Sequence, residues 1–120
     1  MKNEYFRPAS ELSLPVPVDT VAGDPVKVGS LVGVCATDRG AGSNIAGNAT
    51  VLMDDRAYLL DVDGAIAEAG TPVYIVAADN SLTVTATANT LFGYSVPKAD
   101  GTFATKAAGL GPAIVKLAKV

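Results

Sequence analysis

Apolar residues along this chain come in short segments, some alternating with polar residues and some unbroken, and turn residues interrupt them about every ten positions, a spacing typical of small all-β domains. Gly23-Asp24-Pro25 introduces a strand at Val26-Lys27-Val28, Gly29-Ser30 turns the chain, and residues 31–37 predict a second strand. Residues 38–48, which hold Gly40, Gly42 and Gly47, read as a loop. Strands at 49–53 and 57–62 flank an Asp54-Asp55-Arg56 corner, and Ala65-Ile66-Ala67-Glu68-Ala69 within 64–70 predicts one helical turn. Three more strands follow at 72–78, 82–86 and 91–96, the first two joined by Asp79-Asn80-Ser81. After the turn Lys98-Ala99-Asp100-Gly101, residues 113–120 predict a last strand in which Ile114, Val115 and Leu117 alternate with Lys116 and Lys119. No segment sustains the period of a long helix. The pattern predicts a small, single-domain, all-β barrel or sandwich.

The first twenty residues read differently. Residues 1–10 mix charges with the aromatic pair Tyr5-Phe6, followed by Arg7, and Leu12, Leu14, Val16 and Val18 then alternate with Ser13, Pro15 and Pro17. The two prolines cannot donate to a ladder, which restricts this stretch to an edge strand or an extended arm. Aromatic residues beside an Arg have the composition of an interface anchor. We therefore divide the chain into an arm or edge segment, 1–20, and a β-domain, 21–120, with Tyr5, Phe6, Arg7, Leu12 and Leu14 as candidate binding residues.

An internal echo runs through the domain. Gly23-Asp24-Pro25-Val26-Lys27-Val28 resembles Gly70-Thr71-Pro72-Val73-Tyr74-Ile75, and Leu31-Val32-Gly33-Val34 resembles Leu91-Phe92-Gly93-Tyr94. Gly33 and Gly93, inside apolar strands, predict a close backbone approach or a bulge. Two similar β-units would produce the echo, and so would a coincidence of common turn chemistry.

Composition narrows the chemistry. Lys plus Arg is 9 and Asp plus Glu is 12, with no basic run, so the chain lacks the clustered cations that neutralise phosphates; nucleic acid is not an expected partner. Charged residues make up 18% of the chain and hydrophobic ones 49%. So apolar a chain this short predicts that part of its outer surface is covered by other copies or a larger body; an average inflated by Ala and Gly is the other reading. No stretch approaches the roughly 18 apolar residues of a membrane span, and the first residues lack a signal-peptide core. A soluble protein made in the cytoplasm, with no membrane partner, is the expectation.

The chain has no His, which excludes Ser-His-Asp and Cys-His catalysis and any His-containing zinc site. The single Cys, Cys35, lies in an apolar run and reads as a buried, inert thiol. Residues 42–49 have P-loop glycine spacing without the Lys and Ser/Thr that hold phosphate and magnesium. Asp61-Val62-Asp63-Gly64 fails calcium-loop spacing, and Asp54-Asp55 reads as a polar turn. A Ser/Thr-Lys pair using Lys98 or Lys106 is singled out by no spacing. A ligand- or carbohydrate-binding module would typically display aromatic platforms, and the chain has no Trp and only 4 Tyr. We expect no catalytic residues, no metal and no cofactor.

The order of Gly23-Asp24-Pro25-Val26-Lys27-Val28, Leu31-Val32-Gly33-Val34-Cys35-Ala36, Gly70-Thr71-Pro72-Val73-Tyr74 and Asn89-Thr90-Leu91-Phe92-Gly93-Tyr94, with the basic-apolar last strand, resembles the decoration or cement proteins of tailed-phage capsids. The resemblance covers about residues 12–120. Members are often labelled RecA/RadA-type recombinases, a label that the missing P-loop argues against. This chain departs from the pattern at Asp55-Arg56-Ala57-Tyr58, where a Gly-aromatic step is expected, and at Ile75-Val76, where another aromatic is expected. The resemblance implies a β-barrel or β-tulip domain, a homotrimer on the outer surface of the expanded head, and major capsid protein as partner. The candidate arm residues would then be capsid-binding. Another virion component, such as a tail protein, is the nearest alternative.

Overall fold

Nine strands account for the regular structure of the described residues, 11–42, 44–53 and 56–118, in the computed structural model. They are β1 (Glu11–Pro15), β2 (Pro25–Val28), β3 (Leu31–Cys35), β4 (Asn48–Leu52), β5 (Ala57–Asp63), β6 (Pro72–Ile75), β7 (Leu82–Thr83), β8 (Thr90–Ser95) and β9 (Leu110–Leu117). The described residues contain no helix, so the fold is all-β as the pattern predicts.

The helical turn expected at 64–70 does not form. Ile66 instead makes an isolated antiparallel bridge with Lys106, its N–H donating to the Lys106 carbonyl at 3.0 Å and its carbonyl accepting from the Lys106 N–H at 2.8 Å. Five residues cannot repay helix nucleation on their own, whereas the bridge seats Ile66 in the core at 1% exposure. Two polar turns follow the expected chemistry. Asp79 and Asp100 each accept hydrogen bonds from the hydroxyl and the N–H of the residue two positions on, Ser81 and Thr102. Those bonds, the hydroxyl's first, hold both carboxyls below their ordinary pKa.

β1 to β4 form an open antiparallel sheet in the order β1-β4-β3-β2, and β5 to β9 a closed barrel in the order β5-β7-β6-β8-β9. The larger core fills the barrel with Leu60, Val62, Val73, Ile75, Leu82, Phe92, Ala113, Val115 and Leu117, and takes in Val32 and Val34 from the open sheet. The two parts therefore share one core. A smaller cluster of Val16, Val26, Cys35, Ala49 and Val51 lies on the other face of the open sheet. Phe92 is fully buried and contributes on the order of 2–3 kcal/mol.

The echo in the sequence is a structural duplication. Pro25 and Val26 pair with Val34 and Gly33, as Pro72 and Val73 pair with Tyr94 and Gly93. The Gly23 N–H donates to the Cys35 carbonyl at 2.8 Å and the Gly70 N–H to the Ser95 carbonyl at 2.7 Å; the Ala36 N–H reaches Thr50 at 2.8 Å and the Val96 N–H reaches Ile114 at 2.9 Å. Cys35 faces Val51 as Ser95 faces Val115, and Ser13 faces Thr50 as Leu59 faces Ile114. Hence β1-β4-β3-β2 and β5-β9-β8-β6 are one arrangement built twice, and β7 is the extra strand that closes the second copy of it. Gly33 and Gly93 occupy matching sites: a Cβ would overlap the carbonyl oxygen of Leu52 at one and of Lys116 at the other. The predicted close approach is real at both, and the pairing slips between Val73 and Tyr74 opposite Gly93.

Candidate interaction surface

Of the candidate binding residues, Tyr5, Phe6 and Arg7 lie outside the described residues. Leu12 and Leu14 are on β1, half-buried on the same side of the strand, and Leu14 packs against the smaller core cluster. The exposed positions of β1 are Glu11, Ser13 and Pro15, and among the described residues β1 pairs only with β4, at the edge of the open sheet. Val16 and Thr20, in the segment after β1, are both 7% exposed.

The residues that imitate chemistry have structural duties. In the loop with P-loop spacing, the Asn44 amide donates to the Ala41 carbonyl at 2.9 Å, the Thr50 hydroxyl at 3.1 Å and the Thr37 hydroxyl at 3.3 Å. This amide ties the loop to β4. The Lys106 ammonium donates to the carbonyls of Gly64 at 2.7 Å, of Ala107 at 2.9 Å and of Gly109, holding the β8–β9 loop over the end of the barrel. Arg39 is its counterpart in the first half, donating from Nε to the Val16 carbonyl at 3.1 Å. Lys98 lies over the Phe103 ring, 5.7 Å from its centre. Cys35 is buried, and its thiol pKa is pushed from 9.0 up to about 11, first by burial and then by the nearby Asp24 carboxylate. Asp54 and Asp55 lie outside the described residues. Among the described residues no group of His, Cys, Asp or Glu could hold a metal ion, and no helix is long and apolar enough to cross a membrane.

What the structure does display is a surface. On β9 the inward residues are Ala113, Val115 and Leu117, so Leu110, Pro112, Ile114 and Lys116 face outward. On β5, Tyr58, Leu60 and Val62 turn inward, leaving Ala57, Leu59, Asp61 and Asp63 outside. Register sets Leu59 beside Ile114, Asp61 beside Pro112 and Asp63 beside Leu110. Leu59 is 62% exposed and Leu110 72%, and with Pro112 they line a cleft of about 450 Å³ that has Pro25 among its other walls. An apolar strip on a regular sheet is suited to contact with another protein surface.

The family model of phage cement proteins matches residues 7–110. The chain belongs to that family. No curated protein and no solved structure matches it. As a phage cement protein it is a structural component of the phage capsid, a role carried by surfaces and edges. Sequence reasoning directed attention to the N-terminal segment and missed the β5–β9 strip of this cement protein. The available signal was Leu59 between Tyr58 and Leu60, an apolar residue at a position whose neighbours on both sides also fit a core.

Proposed function

We propose that this cement protein binds the outer surface of the expanded phage head as a homotrimer and stabilises contacts between neighbouring major capsid protein subunits. The family match over residues 7–110 carries this reading. The low charge content, 18%, and the apolar strip on the barrel support it, because both suit a chain whose working state is an assembly. In this reading Tyr5, Phe6 and Arg7, with Leu12 and Leu14 on β1, contact the capsid. The protein assembles onto heads in the host cytoplasm and remains on the outside of the virion.

The mechanism is linkage. A protein that binds the expanded lattice and not its precursor stabilises the expanded state, by about 2.7 kcal/mol per site when present at a hundred times its Kd. Three linked contacts per trimer multiply weak individual affinities through effective concentration. Co-sedimentation with emptied expanded heads and with unexpanded heads of the same phage tests this. Saturable binding to expanded heads alone is expected, with the loaded heads surviving heating that disrupts bare ones; no binding, or equal binding to both forms, refutes it. A Tyr5→Ala, Phe6→Ala, Arg7→Ala variant is expected to bind at least about tenfold more weakly, since a few anchors dominate most interfaces. Undiminished affinity removes the role of that segment and leaves the cement role standing.

A further inference from the structure

We propose that copies of this chain join edge to edge, β1 of one copy adding to β2 of the next as an extra antiparallel strand. The duplication supplies the template. In the second half β6 carries one more strand, β7, with Leu82 beside Ile75 and Thr83 beside Tyr74. In the first half β2, which matches β6, is an edge among the described residues and turns through Gly29-Ser30 straight into β3. Lys27 stands in place of Tyr74 and Val28 in place of Ile75. Ile75 is fully buried, whereas Val28 is only partly so. The first half thus has the seat for a β7 without the strand.

Backbone directions agree with this. The Val76 N–H donates to the Ser81 carbonyl at 2.8 Å, and alternation along the antiparallel ladder then turns the N–H and carbonyl of Tyr74 toward β7. The Cys35 N–H donates to the Asp24 carbonyl at 2.9 Å, so Val26 and Val28 bond to β3 while the N–H and carbonyl of Lys27 point off the edge. On β1 the Val16 N–H donates to the Gly47 carbonyl at 3.0 Å. Leu12 and Leu14 therefore bond to β4, and the N–H and carbonyl of Ser13 point off the sheet. In the second half β7 also bonds to β5, the Val84 N–H donating to the Asp63 carbonyl at 3.1 Å. The matching Pro17 carbonyl already accepts from the Thr20 hydroxyl at 2.7 Å, so β2 alone offers the seat.

β1 of another copy fits it. Leu12-Ser13-Leu14 repeats the aliphatic–hydroxyl–aliphatic order of Leu82-Thr83-Val84. In the register that β7 uses, Ser13 of one copy pairs with Lys27 of the next, Leu12 with Val28 and Leu14 with Val26. Pro15 then faces Pro25, and since neither has an N–H the ladder ends there without an unpaired donor. Glu11 and Lys27, the only charged residues of the two strands, become diagonal neighbours of opposite sign on one face. Two β2 edges paired with each other would instead oppose Lys27 to Lys27. β1 keeps its own ladder with β4 throughout. The contact joins two different edges of one sheet, so it runs head to tail and closes into a ring. This inference rests on the reading that the chain works as a homo-oligomer, and it names the edges that join the copies.

Two full-length variants test it. Lys27→Pro removes the donor at the seat without removing a bond to β3. Ser13→Cys combined with Lys27→Cys places thiols across the proposed pair, where Cα atoms about 5.5 Å apart allow a disulfide; Cys35 is buried. Light scattering from micromolar to millimolar reads self-association, circular dichroism confirms the fold, and non-reducing gels read cross-links after oxidation. The wild type is expected to reach three times 12.1 kDa. Lys27→Pro should need at least about a tenfold higher concentration for half-assembly, the effect of losing roughly 1.4 kcal/mol, and the double-cysteine protein should yield chain-to-chain disulfides up to a covalent trimer. A wild type that stays monomeric throughout overturns the inference, as does a folded Lys27→Pro protein that assembles like wild type. If Lys27→Pro does not fold, the cross-link decides, and its absence between chains is equally fatal. Unchanged assembly of Lys27→Pro with lost binding to expanded heads assigns the β2 edge to a capsid strand. That outcome sinks this inference while the cement role stands, and a wild type that cross-links as expected without binding any head does the reverse.

Discussion

Replacing Gly93 by Ala puts a methyl group where the β8–β9 seam has no space. The new Cβ would overlap the Lys116 carbonyl oxygen and lie 2.9 Å from the Lys116 carbonyl carbon and 3.0 Å from a Val115 methyl group. Gly93 has no left-handed backbone to defend, so the cost is steric. Relief requires β8 and β9 to separate where Gly93, Tyr94 and Ser95 pair with Leu117, Lys116 and Val115. Overpacking costs about 1–3 kcal/mol, and each ladder hydrogen bond lengthened beyond use removes about 0.5–1.5 kcal/mol. The reduced freedom of the unfolded chain returns about 0.4–1 kcal/mol. The expected net loss is about 2–4 kcal/mol, a large part of the roughly 5–15 kcal/mol of an ordinary domain. Gly33→Ala meets the same overlap, against Leu52, but in a sheet that is open and can splay. It should cost less. Urea unfolding of both variants at one fixed protein concentration measures the difference, with concentration held because self-association shifts midpoints. A Gly93→Ala protein within about 0.5 kcal/mol of wild type, or a Gly33→Ala protein less stable than it, refutes the reasoning.

Two further outcomes follow from named groups. Because the folded Cys35 thiol titrates near 11 and the unfolded one near 9.0, its contribution to stability is intact below pH 9 and falls as pH rises toward 11, by about 2 kcal/mol at the upper end. Subtracting the pH–stability profile of Cys35→Ser, which copies Ser95 at the matching position, isolates this loss; identical profiles above pH 9 would show that the thiol is not the cause. Asn44→Ala removes the amide that ties the loop before β4 to Ala41, Thr37 and Thr50, with an expected cost of about 1–3 kcal/mol. Amide hydrogen exchange across 38–47 should quicken while that of β9 stays unchanged, and equal acceleration in both would contradict a local role.

The class of fold and most strand positions were legible because turn residues punctuate short apolar runs that have no helical period. The duplication was legible in outline, since Gly-x-Pro-Val feeding one strand and a buried glycine in the next leave a mark wherever backbone approach is close. Other features leave none. β7 is only Leu82–Thr83, too short for periodicity to announce, although it closes the barrel. In β9 the adjacent apolar residues Ile114 and Val115 fit either phase of an alternating strand; the lysines suggest grouping Ile114 with the core, and the pairing turns it outward. The bridge at Ile66 depends on Lys106, forty residues away in sequence, beyond any local pattern. The β5–β9 strip was hidden for the same reason as the phase of β9: a face becomes visible only when register says which residues stand together.

The unequal closure of the two halves also sets how the chain carries load. Among the described residues β1 is an edge strand whose ladder is with β4 only, whereas β5 is gripped by β9 along its length and by β7 at its end. Tension entering ahead of Glu11 and directed away from the sheet peels the β1 pairs one after another, beginning at Glu11 and Leu52. Tension along the strand instead strains all of them together in shear, which resists far more strongly. The barrel stays clamped in either case. A cement protein anchored through this end would therefore be stiff against forces in the plane of the shell and would yield, without losing its barrel, to forces that lift it off.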